Sequence, residues 1–283
     1  MHYWVSWPHP YRKRLPMGLS EQDRIITGYM NQSAKISKTL MGSLTRQWRA
    51  LTGWRDGDVG PFLDQILPLI NAGMSQHAAL TDAYLSLMLT DQTGKSHPPT
   101  GVPPLTNIRG VPEADVYTRP FKTTRAAIGE GLDLQAAAKL GLERLTDITL
   151  SDLQLARRKT SHDILSRSGV AGYRRVISGA ENCGMCLVAS TQRYHRGDLL
   201  PIHPGCDCGV APISGTSDPG QIIDAERLEG THAAIAERFG PEAADRGARN
   251  IDYRKVVVVQ EHGELGPVLT VKGQHFTSAS SVA

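Results

Sequence analysis

Cysteine is scarce in this sequence: there are four, and none lies outside the stretch from Cys183 to Cys208. Long apolar runs are missing too. None approaches the roughly 18 residues of a membrane span, so no transmembrane helix is expected. The first residues place Arg12, Lys13 and Arg14 after Trp4 and Trp7. A signal peptide has the opposite order, charge before apolar core, so export by the usual route is not expected. Several catalytic signatures are absent: a Walker-type Gly-x4-Gly-Lys-Ser/Thr, a dinucleotide Gly-x-Gly-x-x-Gly after a strand, His-Glu-x-x-His and Gly-x-Ser-x-Gly. Gly129-Glu-Gly131 falls within a helical pattern and has no phosphate-loop logic. No internal repeat is visible. His9, His77, His97, His162, His232, His262 and His275 are single and dispersed, which reads as surface or core-edge residues, not ligands.

What is present is a chain of 283 residues, 40% hydrophobic and 21% charged, long enough to bury a sizeable core in one or two domains. Its net charge of +3 argues against a dedicated nucleic-acid-binding protein, but the charge is uneven. Residues 1–50 carry eight Lys/Arg against two acidic residues, 151–180 carry six against two, and 181–250 carry six against ten. Basic segments of this kind read first as solvated helix faces and second as surfaces for phosphates or an acidic partner.

Taken in order, the chain reads as α+β: a mostly helical N-terminal half with long helices, then a small β-rich zinc-knuckle module, then a short helix and strands. Residues 1–18, with Trp4, Trp7, Pro8, Pro10 and Pro16, read as an extended arm. The segment 19–92 reads as a helical domain. Ser20 and Asp23 offer an N-cap to a long helix over 20–52, closed by Gly53. Its Ser/Thr/Gln-rich middle suggests packing on a partner subunit more than on its own chain. Gly60-Pro61 opens a second helix, kinked at Pro68 and interrupted at Gly73, and a third continues to about 90. Residues 93–119 lack periodicity and begin a Pro-rich stretch that reads as a linker or a surface-tracking loop. Over 120–172 helices resume near 120–145, and again from Ser151-Asp-Leu-Gln154, which matches a capping box, to Ser168-Gly169. Residues 173–216 look β-like and turn-rich. The segment 217–283 reads as a helix near 219–240, a strand at Lys255–Gln260 whose four valines suggest burial on both faces, a second strand at Val268–Val271, and a disordered tail from Ser278.

The cysteine stretch runs Cys183-x2-Cys186, sixteen residues, then His203-x2-Cys206-x-Cys208. It offers five soft or borderline ligands to a tetrahedral ion that takes four, and zinc suits thiolate knuckles at this spacing. Cys183, Cys186 and Cys206 are the leading candidates, with His203 or Cys208 as the fourth; spacing does not choose between those two. Gly197 and Pro201 suit a hairpin that brings the knuckles together. A saturated structural zinc site ranks ahead of a disulfide pair, a catalytic zinc and redox chemistry at Cys183–Cys186. The cytosol opposes a disulfide, a catalytic zinc needs an open position and a base, and a redox pair wants a βαβ context that is absent. Asp207, the nearest local carboxylate, reads as solvent-facing.

With Tyr194, Gly197 and Pro201-Ile-His203-Pro204 between the cysteine pairs, this order closely resembles the core motif of the phage head morphogenesis family, the MuF-like minor capsid proteins of tailed bacteriophages. The family motif usually ends His-Pro-x-Cys-Arg-Cys, and Asp207 stands here in place of the arginine. The lead-in Gly172-Tyr-Arg-Arg175 is similar to the family as well, and His262–Leu269 is similar to the end of such proteins in phages of actinobacteria. The resemblance implies a minor head protein, present in the virion in few copies, inside the capsid near the portal vertex. Its partners would be the portal protein, the major capsid or scaffolding protein and packaged DNA, with no membrane involved, and it would occupy the host cytoplasm during assembly. Some members carry toxin or protease domains; the residues after Gly215 are too few and featureless for one, so no enzyme activity is expected. Two other classes stand beside it: a zinc-containing nuclease of the His-Asn-His kind, for which only His195, His203 and Asn182 lie near the knuckles, and a DNA-binding adaptor using the basic segments.

Overall fold

A computed structural model of the chain describes residues 20–177, 186, 189–195, 208–213, 223–226, 228–230, 233, 257–262 and 264–271. Four helices dominate: α1 (Glu21–Arg49), α2 (Asp56–Thr93), α3 (Glu113–Gly129) and α4 (Leu134–Arg167). Three short strands, β1 (Gly172–Val176), β2 (Arg193–His195) and β3 (Gly209–Ile213), form an antiparallel sheet in the order β2-β1-β3. β4 (Val257–His262) and β5 (Gly266–Val271) form a separate antiparallel hairpin. The chain is thus mostly helical with a small antiparallel sheet, as the periodicity suggests. The N-terminal arm, the tail after Val271 and most of the helix expected at 219–240 lie outside the described residues, as does the burial of the valines in β4. Among the described residues no helix is long and apolar enough to cross a membrane.

Helix α1 starts where the sequence indicates. The Ser20 hydroxyl accepts from the Asp23 backbone N–H at 3.1 Å, satisfying one of the first-turn donors that have no partner within the helix. The helix ends at Arg49, earlier than Gly53. Its polar middle does not wait for a partner subunit: Tyr29, Met30, Ser33, Leu40, Leu44 and Trp48 are all buried within this chain. Trp48 donates from its indole to the Ala138 carbonyl at 2.9 Å.

The expected break between a second and a third helix does not occur. α2 runs for 38 residues through Pro61, Pro68 and Gly73. Each proline removes one backbone donor from the helix. Against that loss stands a row of buried side chains four residues apart, Phe62, Ile66, Ile70, Met74 and Ala78, which holds the helix in its groove. Gly73 is a contact, not a break: a β-carbon there would stand 2.7 Å from the Leu40 Cδ2 atom, so the glycine lets α1 approach α2 closely. The helix closes at Gly94, whose φ of 65° is the left-handed conformation that glycine adopts without strain.

α4 runs through the start expected at Ser151, while the helix expected near 120–145 is divided between α3 and α4 at residues 130–133, where Gly131 has a φ of 92°. The N-cap of α4 is Asp133, which accepts from the Ala136 N–H at 2.8 Å. Ser151 starts nothing, because its hydroxyl donates to the Asp147 carbonyl one turn back, as serine does inside a helix. The expected end at Ser168-Gly169 holds: Ser168 is the C-cap, and Gly169 has a φ of 75°. The stretch between α2 and α3 is irregular and tracks the helical body. Asp82 accepts from Thr100 N and Gly101 N at 2.9 and 2.7 Å, and Leu105 is buried in the core.

Two hydrophobic clusters result. One, around Trp48, Phe62, Phe121, Tyr117 and Leu145, joins all four helices. The other joins Tyr29, Tyr84, Met88 and Leu165 to Tyr173, Val176 and Ala211, so it fastens the sheet to one end of the bundle. Between them in the helix sequences lies a buried polar layer. His77 is fully buried, with Ser33 Oγ 3.3 Å from Nδ1 and Ser37 Oγ 3.1 Å from Nε2, and Arg157 donates to Ser33 Oγ at 3.2 Å. Two readings of the sequence are corrected here. His77 is a core residue, not one at the surface or core edge, and Arg157, at 7% exposure, is not part of a solvated face.

Burial, reinforced by the Arg157 charge, lowers the His77 pKa to about 3. A histidine held neutral stabilises the fold fully above its unfolded value near 6.5, and this stability drains away as pH falls from there towards 3. We predict that unfolding free energy, measured by urea titration, falls by roughly 1.4 kcal/mol per pH unit below pH 6. His77→Gln should flatten that slope; an unchanged slope would remove His77 as its source.

Candidate functional site

The sheet delivers the only two cysteines among the described residues to one place. β1 alternates, so Tyr173 and Arg175 share a face, and both are buried, at 0% and 3% exposure. β3 pairs with β1 from Gly172↔Ile213 to Val176↔Gly209, which puts Cys208 immediately before the last pair. On the other side Tyr173 pairs with Tyr194, the rings stacked with centroids 5.3 Å apart. The Tyr194 hydroxyl donates to the Ala189 carbonyl at 2.9 Å, tying the helical residues before β2 to that strand. Cys186 and Cys208 are both buried and form one cluster with Ile177. Two bonds from α2 hold β3 in position: Tyr84 Oη donates to Val210 O at 2.9 Å and Gln92 Nε2 to Pro212 O at 2.6 Å.

Arg175 is the residue that sequence reasoning missed. It stands in the lead-in Gly172–Arg175 and among the basic residues of 151–180, with no role of its own. Its Nη1 donates to Cys208 Sγ at 3.3 Å, and its guanidinium lies 5.9 Å from the centre of the Tyr194 ring. Burial disfavours the charge on Arg175, and the Cys208 sulfur outweighs that effect, assisted by Tyr173 and Tyr194, so the pKa rises. A buried guanidinium needs acceptors for its hydrogen bonds, and the Cys208 sulfur is one of them. The signal was readable in principle: an arginine two positions after a tyrosine in a short strand shares its face, and that face is the buried one.

Of the five candidate ligands, Cys186 and Cys208 are brought together, while Cys183, His203 and Cys206 lie outside the described residues, as does Asp207. Among the described residues no group of three or more His, Cys, Asp or Glu side chains could hold a metal ion. The donor chemistry that is described fits zinc: two buried sulfurs from separate elements, one bonded to a cation that would orient a thiolate ligand and temper its charge. Zinc bound there by Cys186, Cys208 and others of the five would act as a cross-link between β3 and the segment before β2. Tyr194, expected to belong to the motif, packs on Tyr173; the side chain of His195 is not described.

Comparison with protein-family models, curated proteins and solved structures finds no match to this chain.

We predict about one zinc per purified chain by metal analysis. Arg175→Gln should keep the helical circular dichroism and weaken zinc binding by roughly 10- to 100-fold in chelator competition. Protein purified without metal, its thiols all reactive and its sheet intact, would exclude the cross-link.

Proposed function

We propose that this chain is a minor head protein of a tailed phage, of the MuF-like kind, in which a zinc-bound cysteine knuckle holds the sheet module folded for other virion proteins to bind. One observation carries the geometric part: Cys186 and Cys208, on different elements, are buried together, with the Arg175 guanidinium on Cys208. The family part rests on the motif Cys183-x2-Cys186 … His203-Pro-x-Cys206-x-Cys208. Both favour a structural role. Cys186 and Cys208 are buried with Ile177 packed against them, and Arg175 donates to Cys208. The role is that of an assembly factor acting on the portal and the capsid interior, with packaged DNA as a further contact.

The DNA-adaptor alternative draws on basic segments, and two of the arginines it would use, Arg157 and Arg175, are buried. This weakens that alternative without bearing on the knuckle.

The test is co-expression with a tailed-phage portal protein. Co-purification with a portal oligomer, lost in Cys183→Ser/Cys206→Ser because the module unfolds, is the expected result. A chain that ignores portal and cleaves DNA, or binds it with an affinity falling steeply with salt, would overturn the proposal.

A further inference from the structure

A second set of charged groups lies away from the cysteines, where α3, α4 and the irregular stretch before α3 meet. Arg109 donates from Nε to Asp152 Oδ1 at 2.5 Å and from Nη2 to the Ile148 carbonyl at 3.0 Å. Tyr117 Oη donates to the other Asp152 oxygen at 2.7 Å. The side chains of Arg109 and Asp152 are only 7% and 5% exposed, so the guanidinium is held in one place by the helices around it.

Arg119, on α3, stands beside it, and the two arginines grip one carboxylate. Arg109 Nη1 lies 3.3 Å from Glu264 Oε2, and Arg119 Nη2 bonds Glu264 Oε1. Each guanidinium thus takes one oxygen, and arginines hold carboxylates and phosphates alike in this way. The carboxylate does not come from the helices that build the fork: Glu264 sits in the turn between β4 and β5. Burial opposes its charge, but the Arg119 bond and the charges of both arginines outweigh this and hold its carboxyl below the usual range. Arg144, exposed on α4, has its pKa lowered by partial desolvation and by the charges of Arg119 and Arg109, with Asp147 and Glu264 pulling the other way. Three like charges close enough to disfavour one another make a place that favours an anion.

The attachment of the hairpin and the folding of the fork are separable. A two-stranded hairpin is marginal alone in water. The described contacts of this one with the helical body are at its tip: Glu264 on the fork, and Leu265, which is buried and whose carbonyl lies 3.5 Å from Arg158 Nη1. Loss of the Glu264 pair takes away the charged half of that attachment. The helices do not depend on it, because α3 and α4 are joined by the core around Phe121 and Leu145.

We infer that the Arg109–Arg119 fork is an oxyanion site and that the Glu264 turn blocks it from within the chain as an ionic latch. Closed, the latch fixes the tip of the hairpin and covers the fork. Open, it leaves two guanidiniums beside Arg144 for a phosphate-class anion. The Arg119 and Glu264 side chains are 27% and 15% exposed, so solvent reaches the pair and salt loosens it.

The experiment uses the full-length chain and Glu264→Gln, which keeps the shape of the side chain and removes its charge. Backbone hydrogen exchange and pyrophosphate binding by calorimetry are the readouts. Exchange across β4 and β5 should rise at least about tenfold in Glu264→Gln while α3 and α4 stay protected. Raised salt should produce the same local change in the wild type. Pyrophosphate should bind Glu264→Gln at least about tenfold more tightly than it binds the wild type, and the gain should vanish when Arg119→Ala is added. Unchanged hairpin exchange in Glu264→Gln would overturn the latch, as would indifference to salt. A rise shared equally by hairpin and helices would do the same, by making the turn part of one cooperative unit. Pyrophosphate affinity no higher in Glu264→Gln than in the wild type, or a gain that survives Arg119→Ala, would overturn the oxyanion site. Neither readout involves zinc or a portal protein, so failure here is separable from failure of the proposed function.

Discussion

The packing of α2 between α1 and α4 is the constraint from which the remaining structure follows. It requires a 38-residue helix to run through two prolines and a fully buried histidine. The prolines forfeit backbone donors, and the histidine forfeits its charge. Both losses are offset because the side chains every four residues along α2 fill the space between its neighbours, and because Ser33, Ser37 and Arg157 complete the polar layer around His77. With α2 in place, its C-terminal half presents Tyr84 and Gln92 to the β3 backbone. The sheet is therefore positioned by the bundle. Any chemistry at Cys208 begins from an address set by α2.

Three buried arginines show one physical rule with three outcomes. A guanidinium withdrawn from water must find acceptors. Arg157 finds a serine hydroxyl beside a neutral histidine and helps tie three helices together. Arg109 finds Asp152, the Ile148 carbonyl and a carboxylate from a remote hairpin, so it links the helices to the C-terminal strands. Arg175 finds a cysteine sulfur. Only this last pairing would bear on the proposed zinc, because a neighbouring cation favours the thiolate form of a cysteine, the form that ligates metal. The same residue type thus does packing, docking and electrostatic tuning, and what differs is the acceptor each backbone position brings within reach.

Long elements with strong local signals could be read from the sequence. The Ser20 cap, the stop at Gly169 and the start of the turn-rich module near residue 173 each follow from a local preference: a side-chain oxygen for free N–H groups, a residue free to adopt positive φ, and a loss of helical period. The interruptions were misread for a shared reason. Gly73 and Ser151 both favour a helix boundary in isolation, and each sits within a continuous helix because burial along that helix outweighs a local cost in backbone entropy or a competing side-chain hydrogen bond. The site was half legible. Spacing named Cys186 and Cys208 as candidates, but no periodicity announces that a strand arginine will lie over one of them, since that contact depends on the register of β1 with β3.

By itself the sequence determined the class of structure, long helices followed by short strands, and it gathered every cysteine into one short stretch. Those are properties of neighbours along the chain. Tertiary structure alone decided which polar residues are interior, that α2 and α4 are single helices, and that Arg175 meets Cys208 and Glu264 meets Arg109 and Arg119. These are contacts between residues far apart in sequence, and they exist only because packing of the apolar faces brings the helices together and puts acceptors within reach of each buried charge.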